Sequence, residues 1–185
     1  MPRLFLVGYR ATGKTTVGRL AAGRLGCSFV DADAHLEAAV GKSVRDLFRD
    51  EGEAGFRDRE SAILRELATD ARWDRHVIST GGGVVIRPEN RALLRAGFVA
   101  RLTASAATIH ARMVADAELH GTRPNLTPGG GLQEVEALLA AREAWYCEVA
   151  DVIVPTEGRS PDAVASDIVS EYLAARPTPP PESQA

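Results

Sequence analysis

The sequence predicts an α/β fold: a five-stranded parallel sheet flanked by helices in three layers. Three observations carry that expectation. Five short apolar runs alternate with segments of helical spacing. A glycine-rich turn joins the first run to the first helix. Four chemistry-bearing segments, that turn at 8–15 together with 31–33, 80–83 and 156–161, begin where an apolar run ends, and in parallel sheets ligands sit beyond the carboxyl ends of the strands.

In chain order, Leu4 to Val7 is a buried strand by its length and flanks, and Thr15 to Arg24 a helix closing at Gly26. "CSFVD" (27–31) is a second strand. Ala34–Val40 and Val44–Arg49 are short helices broken at Gly41, and Ala54–Ala71 is longer, with Phe56, Ile63, Leu64 and Leu67 along one side. "HVIS" (76–79) is a third strand ending in Thr80 and three glycines. Pro88 to Arg95 is helical, with proline suited to a first turn. "FVARL" (98–102) is a fourth strand and Ala106–Ala115 a helix. Residues 116–132, "DAELHGTRPNLTPGGGL", are dense in breakers and are expected to form a mobile loop. Gln133–Ala150 is a helix, "DVIVP" (151–155) a fifth strand and Pro161–Ala175 the last helix. Residues 1–175 read as one domain, with 176–185, "RPTPPPESQA", as a disordered tail.

The 185 residues suffice for one domain with a full core. A net charge of −3 gives no electrostatic footprint for nucleic acid. The apolar run at the N-terminus is too short for a signal peptide, and no stretch approaches a membrane span, so the expected compartment is the cytoplasm. Cys27 and Cys147 lack C-x-x-C spacing and read as buried thiols; the four histidines are scattered, which argues against zinc. Only Lys14 and Lys42 are lysines among 22 basic residues. A single arginine is therefore a weak signal, and Lys14 within its motif a strong one.

That motif is "GYRATGKT", Gly8 to Thr15, which fits G-x-x-x-x-G-K-[ST] with a strand before it and a helix after. Backbone N–H groups in such a turn curl around an anion, and the helix N-terminus adds partial positive charge. The nucleotide-binding set is expected to comprise Gly8, Ala11, Thr12, Gly13, Lys14, Thr15 and Thr16. Lys14 would reach the β- and γ-phosphates, and Thr15 would offer its hydroxyl to Mg²⁺. The motif does not name the acceptor. The third strand ends without an acid, and N-K-x-D, the guanine-reading sequence, is absent. The nearest acids at a strand end are Asp31 and Asp33. In an extended chain both would face the phosphates; the alternative is a pair of solvated turn acids, with Asp33 as a helix N-cap.

Taken together, "GYRATGKTTVGRLAAGRL", "FVDADAHLEAAVGKSVRDLFRDEGEAGFRDRES", "VISTGGGVV", "RPNL" and "AAREAWYCEVADVIV" resemble the shikimate kinases, of the nucleoside-monophosphate-kinase-like branch of P-loop NTPases, from about residue 3 to about 173. The resemblance implies transfer of the γ-phosphoryl of ATP to the 3-hydroxyl of shikimate, with Mg²⁺ as cofactor and a monomeric state. It implies that Asp33 hydrogen-bonds the substrate hydroxyls and that Arg57 and Arg142 grip the carboxylate. Gly82 would approach the ring. Asp31 would stand behind Thr15 at the metal, through water. Arg123 would be the lid arginine, and Arg112 and Arg159, the latter within "TEGRSP", would lie where the family packs adenine. A planar guanidinium suits a carboxylate. The bland alternatives are an i, i+3 pair of Arg57 with Glu60 and ordinary surface charge for Arg142.

Two departures stand out. Ala11 replaces a glycine common in the family and demands an ordinary backbone angle there. The lid carries Asn125 and extra glycines. A kinase of the same fold acting on gluconate or a nucleotide, and a nucleotide-binding regulator without catalysis, are the competing readings.

Overall fold

The computed structural model describes residues 3–120 and 131–175. The strands are β1 (Leu4–Val7), β2 (Ser28–Asp31), β3 (His76–Ser79), β4 (Phe98–Thr103) and β5 (Val152–Pro155). They form one parallel sheet in the order β2-β3-β1-β4-β5. The helices are α1 (Lys14–Leu25), α2 (Ala32–Val40), α3 (Val44–Thr69), α4 (Pro88–Leu94), α5 (Ala106–His120), α6 (Gly131–Val149) and α7 (Pro161–Ala174), with short 3₁₀ turns at Ala71–Trp73 and Val84–Ile86.

The three layers follow from the two-residue period of β1. Leu4 and Leu6 point to one face and pack with Val17 and Ala21 of α1 and Val164 and Ile168 of α7. Phe5 and Val7 point to the other and pack with Leu64 of α3, Leu94 of α4 and Tyr146 of α6. Both faces of this central strand are closed to water, which is why it reads as an unbroken apolar run. Full burial of a Leu or Phe side chain contributes about 1.5–3 kcal/mol.

α3 carries the break that the sequence placed between Arg49 and Ala54: Gly52, with φ 69° and ψ −176°, is not helical and joins two helical segments at a kink. Other expectations need correction. The stretch 116–132 expected as a loop is helical at both ends, because α5 runs on to His120 and α6 starts at Gly131. Ala117, Glu118 and Leu119 are good helix formers and extend α5. The rest of the expected lid, 121–130, with Arg123 and Asn125, lies outside the described residues, as does the expected tail 176–185. Cys27 is only half-buried and Cys147 is exposed. The Cys147 thiol lies on an open side of α6, 3.1 Å from the Arg101 guanidinium. Among the described residues no helix is long and apolar enough to cross a membrane.

Because all five strands run in parallel, the segments after β1, β2, β3 and β5 emerge at one edge of the sheet. The glycine-rich turn leaves β1 between β3 and β4, its neighbours on either side.

Candidate active site

The turn after β1 is wound as an anion cradle. Gly8 has φ 140° and Gly13 φ 92°, angles that disfavour a side chain. At Gly8 a Cβ would also lie 2.4 Å from the Leu102 carbonyl oxygen. Ala11 adopts φ 58°, which corrects the expectation of an ordinary angle: the loop must curl left-handed there whatever residue fills it. Lys14 is buried, and its Nζ donates to the carbonyls of Gly8 at 2.9 Å and Tyr9 at 2.8 Å. The ammonium is thus held at the loop by the backbone it helps to shape. Thr12 Oγ1 donates to the Tyr9 carbonyl at 2.8 Å, and Gly13 caps α1, which starts at Lys14. Thr15 and Thr16 are exposed in its first turn.

At the end of β2 the chain does not stay extended, because α2 begins at Ala32. Asp31, not Asp33, is the N-cap, accepting from the backbone N–H of Asp33 at 3.1 Å and Ala34 at 3.4 Å. Its other oxygen accepts from Thr15 Oγ1 at 2.8 Å. A hydroxyl and a carboxylate side by side at the mouth of the cradle are hard oxygen donors, which is the chemistry Mg²⁺ takes while keeping water and phosphate ligands. Asp33 is left to the first turn of α2, and its carboxylate lines a pocket beside the cradle.

That pocket measures about 360 Å³ and is walled by Tyr9 and Arg10 of the loop, Asp33 of α2, Phe56, Arg57 and Glu60 of α3, Gly81–Gly83 after β3, and Arg142 of α6. Arg57 is buried and donates to Glu60 Oε2 at 2.7 Å and Glu53 Oε1 at 3.3 Å. The i, i+3 pair foreseen as the bland alternative therefore exists, but inside the pocket wall. Burial pushes the Glu60 carboxyl up from its ordinary value, against the lowering effect of Arg57. Its Oε1 is buried without a hydrogen-bond partner.

The triple glycine is shaped by these groups. A Cβ at Gly81 would fall 2.7 Å from Glu60 Oε1 and 3.0 Å from Asp33 Oδ1. One at Gly83 would fall 2.3 Å from Arg57 Nη1, and one at Gly82 3.1 Å from the Arg10 backbone nitrogen. Arg142, also buried, donates from Nη1 to the Gly82 carbonyl at 3.2 Å, and the Tyr146 hydroxyl donates to the same oxygen. Burial raises the Tyr146 hydroxyl to about 12, which keeps it a donor at neutral pH. The Arg142 guanidinium sits 5.7 Å from the Tyr9 ring centroid.

On the opposite side of the cradle, Arg112 donates to the Ala11 carbonyl at 3.3 Å, to Thr156 Oγ1 at 3.0 Å and to the Thr156 carbonyl at 3.2 Å. Arg159 pairs with Asp167 at 2.6 Å. These two residues flank the turn that follows β5. The structure thus gathers Asp33, Arg57, Gly82 and Arg142 around one pocket, and sets the phosphate loop between that pocket and Arg112. Sequence reading did not single out Gly81, Gly83 and Glu60 as parts of the wall, nor Tyr146 as the donor that holds the Gly82 carbonyl. The run of glycines was the available signal for two of them.

The shikimate kinase family model matches residues 10–173 of the chain. The chain belongs to the shikimate kinase family. A family member from Symbiobacterium thermophilum is 44% identical over 91% of this chain and 94% of its own length. One from Chromohalobacter salexigens is 42% identical over 91% of each chain. The solved structure of the shikimate kinase from Acinetobacter baumannii in complex with shikimate superimposes with a TM-score of 0.85 at 34% identity, covering 94% of both chains. The solved structure of the Mycobacterium tuberculosis APS kinase CysC shares the fold at a TM-score of 0.55 and 18% identity, covering 92% of this chain and 96% of its own.

Proposed function

We propose that this protein is an ATP-dependent shikimate kinase, transferring the γ-phosphoryl of ATP to the 3-hydroxyl of shikimate and releasing ADP and shikimate 3-phosphate. The supporting observation is the pocket beside the phosphate loop. It sets the Asp33 carboxylate, next to the phosphate loop, in one pocket with two buried guanidinium groups, Arg57 and Arg142, in a chain that matches the family along nearly its whole length. A small ring with one carboxylate and neighbouring hydroxyls complements that set.

In this reading the acceptor carboxylate is gripped by Arg57 and Arg142, with Glu60 fixing the Arg57 guanidinium from behind. Asp33 accepts the 3-hydroxyl hydrogen bond and takes its proton as the oxygen attacks the γ-phosphorus. The new O–P bond forms as the bond to the β-phosphate oxygen breaks, and ADP leaves with that electron pair. Lys14 holds charge on the phosphoryl, and Arg123, outside the described residues, is assigned to the lid. Thr15, with Asp31 through water, would hold Mg²⁺, which when bound neutralises β- and γ-phosphate oxygens. Arg112 and Arg159 are assigned to the adenine side. A single chain supplies every one of these groups, in keeping with a monomer, and we assign it to the cytoplasm.

Product analysis tests the reading. After incubation with ATP, Mg²⁺ and shikimate, phosphorus–proton coupling in the NMR spectrum should place the new phosphate on carbon 3. Phosphate on another carbon would overturn it.

A further inference from the structure

Outside the residues already assigned, the phosphate loop and α6 share a desolvated ion pair. Arg10 Nη2 lies 3.0 Å from Glu134 Oε1, with side-chain exposures of 17% and 1%. We propose that Arg10 and Glu134 are positioning residues: their pair braces the phosphate loop against α6 and so sets the spacing between the transferred phosphoryl and the acceptor held by Arg142. The inference rests on the shikimate kinase reading.

The contacts form a closed circuit. Glu134 and Arg142 lie on the same helix, eight residues and about 12 Å apart along its axis. Arg142 donates to the Gly82 carbonyl. Gly82 in turn packs so close to the Arg10 backbone that a Cβ would reach its nitrogen at 3.1 Å. A slide of α6 that breaks the Arg10 contact therefore also moves the Arg142 grip, whereas the far side of the loop is tied independently by Arg112 to Ala11. The acceptor side should feel the brace and the nucleotide side should not. Stability is not its main contribution. Buried ion pairs replaced by apolar groups of similar volume are commonly neutral or stabilising, while small displacements of bound reactants cost about 10²-fold in rate.

The test is the double variant Arg10→Met with Glu134→Leu, which removes both charges together. Its melting temperature should stay within about 3 °C of the parent, because the two charges of the pair are removed together. Its kcat/KM for shikimate should fall roughly 10- to 100-fold, with the Kd for ATP by calorimetry changed less than about 2-fold. Unchanged kcat/KM, or an equal loss of ATP affinity, would overturn the brace. If the double variant does not fold, Glu134→Gln decides: it keeps shape and one acceptor oxygen, and should lower kcat/KM for shikimate roughly 3- to 10-fold with ATP affinity intact. No change there would equally overturn the brace. Shikimate turnover by the parent chain in the same assay reports separately on the functional reading.

Discussion

The guanidinium of Arg57 lies flat against the backbone of Gly83, where a Cβ would sit 2.3 Å from Nη1 and 2.4 Å from Nη2. The atoms in the way are the mobile end of a side chain, so Gly83→Ala should fold but push the guanidinium out of line. The KM for shikimate should rise by roughly 10-fold or more, part of the 2–5 kcal/mol attached to losing a desolvated charge contact, with the KM for ATP unchanged. Steady-state kinetics in both substrates checks this. A parallel rise in both constants would place Arg57 on the nucleotide side.

Ala11 sits at φ 58°, a conformation that costs a non-glycine residue about 1–2 kcal/mol. Ala11→Gly should relieve part of that and stabilise the protein by about 0.5–1 kcal/mol, seen as a melting temperature a few degrees higher, with kcat within about 2-fold of the parent. A lower melting temperature would mean that the angle carries no strain.

Lys14→Ala removes the ammonium that donates to the Gly8 and Tyr9 carbonyls and is assigned to the transferring phosphoryl. The expected loss is at least about 10³-fold in kcat/KM with a folded protein by circular dichroism. Near-normal turnover would remove the phosphate loop from the mechanism.

Asp33→Asn separates chemistry from helix capping, since the cap of α2 is Asp31. The first-turn charge of Asp33 contributes about 0.3–1 kcal/mol through the helix dipole, so the melt should barely move. The kcat should fall about 10²- to 10⁴-fold, the usual worth of a general base, with ATP binding retained. An equally active variant would take Asp33 out of the reaction.

How much of this was legible in the sequence varies by the kind of signal. Strand and helix placement followed from periodicity: β1 and β3 fall where their apolar runs put them, because burial on both faces leaves an unbroken run. The phosphate loop was legible because glycine and lysine at fixed spacing have few other uses. The angle at Ala11 was not, since residue identity pointed the opposite way and the curl of the loop overrode it. The choice between Asp31 and Asp33 as helix cap turned on where α2 begins, one residue after β2 ends. The run of glycines marked the turn after β3, but what Gly81 and Gly83 make room for, Glu60 and Arg57, was not legible, because those contacts arise only when α3 is laid against that turn. The same holds for Arg10 with Glu134, which are 124 residues apart in the chain.

The most direct measurement is ADP release with shikimate, quinate, gluconate and nucleoside monophosphates assayed side by side under identical ATP and Mg²⁺. The account expects shikimate to give a kcat/KM far above those of gluconate and the nucleotides, since a small ring with one carboxylate and neighbouring hydroxyls matches the Asp33, Arg57 and Arg142 set in both charge and size; quinate, a ring carboxylate of nearly the same size, is the near competitor. A higher kcat/KM for gluconate or for a nucleotide, or no ADP release above background with shikimate, would contradict it.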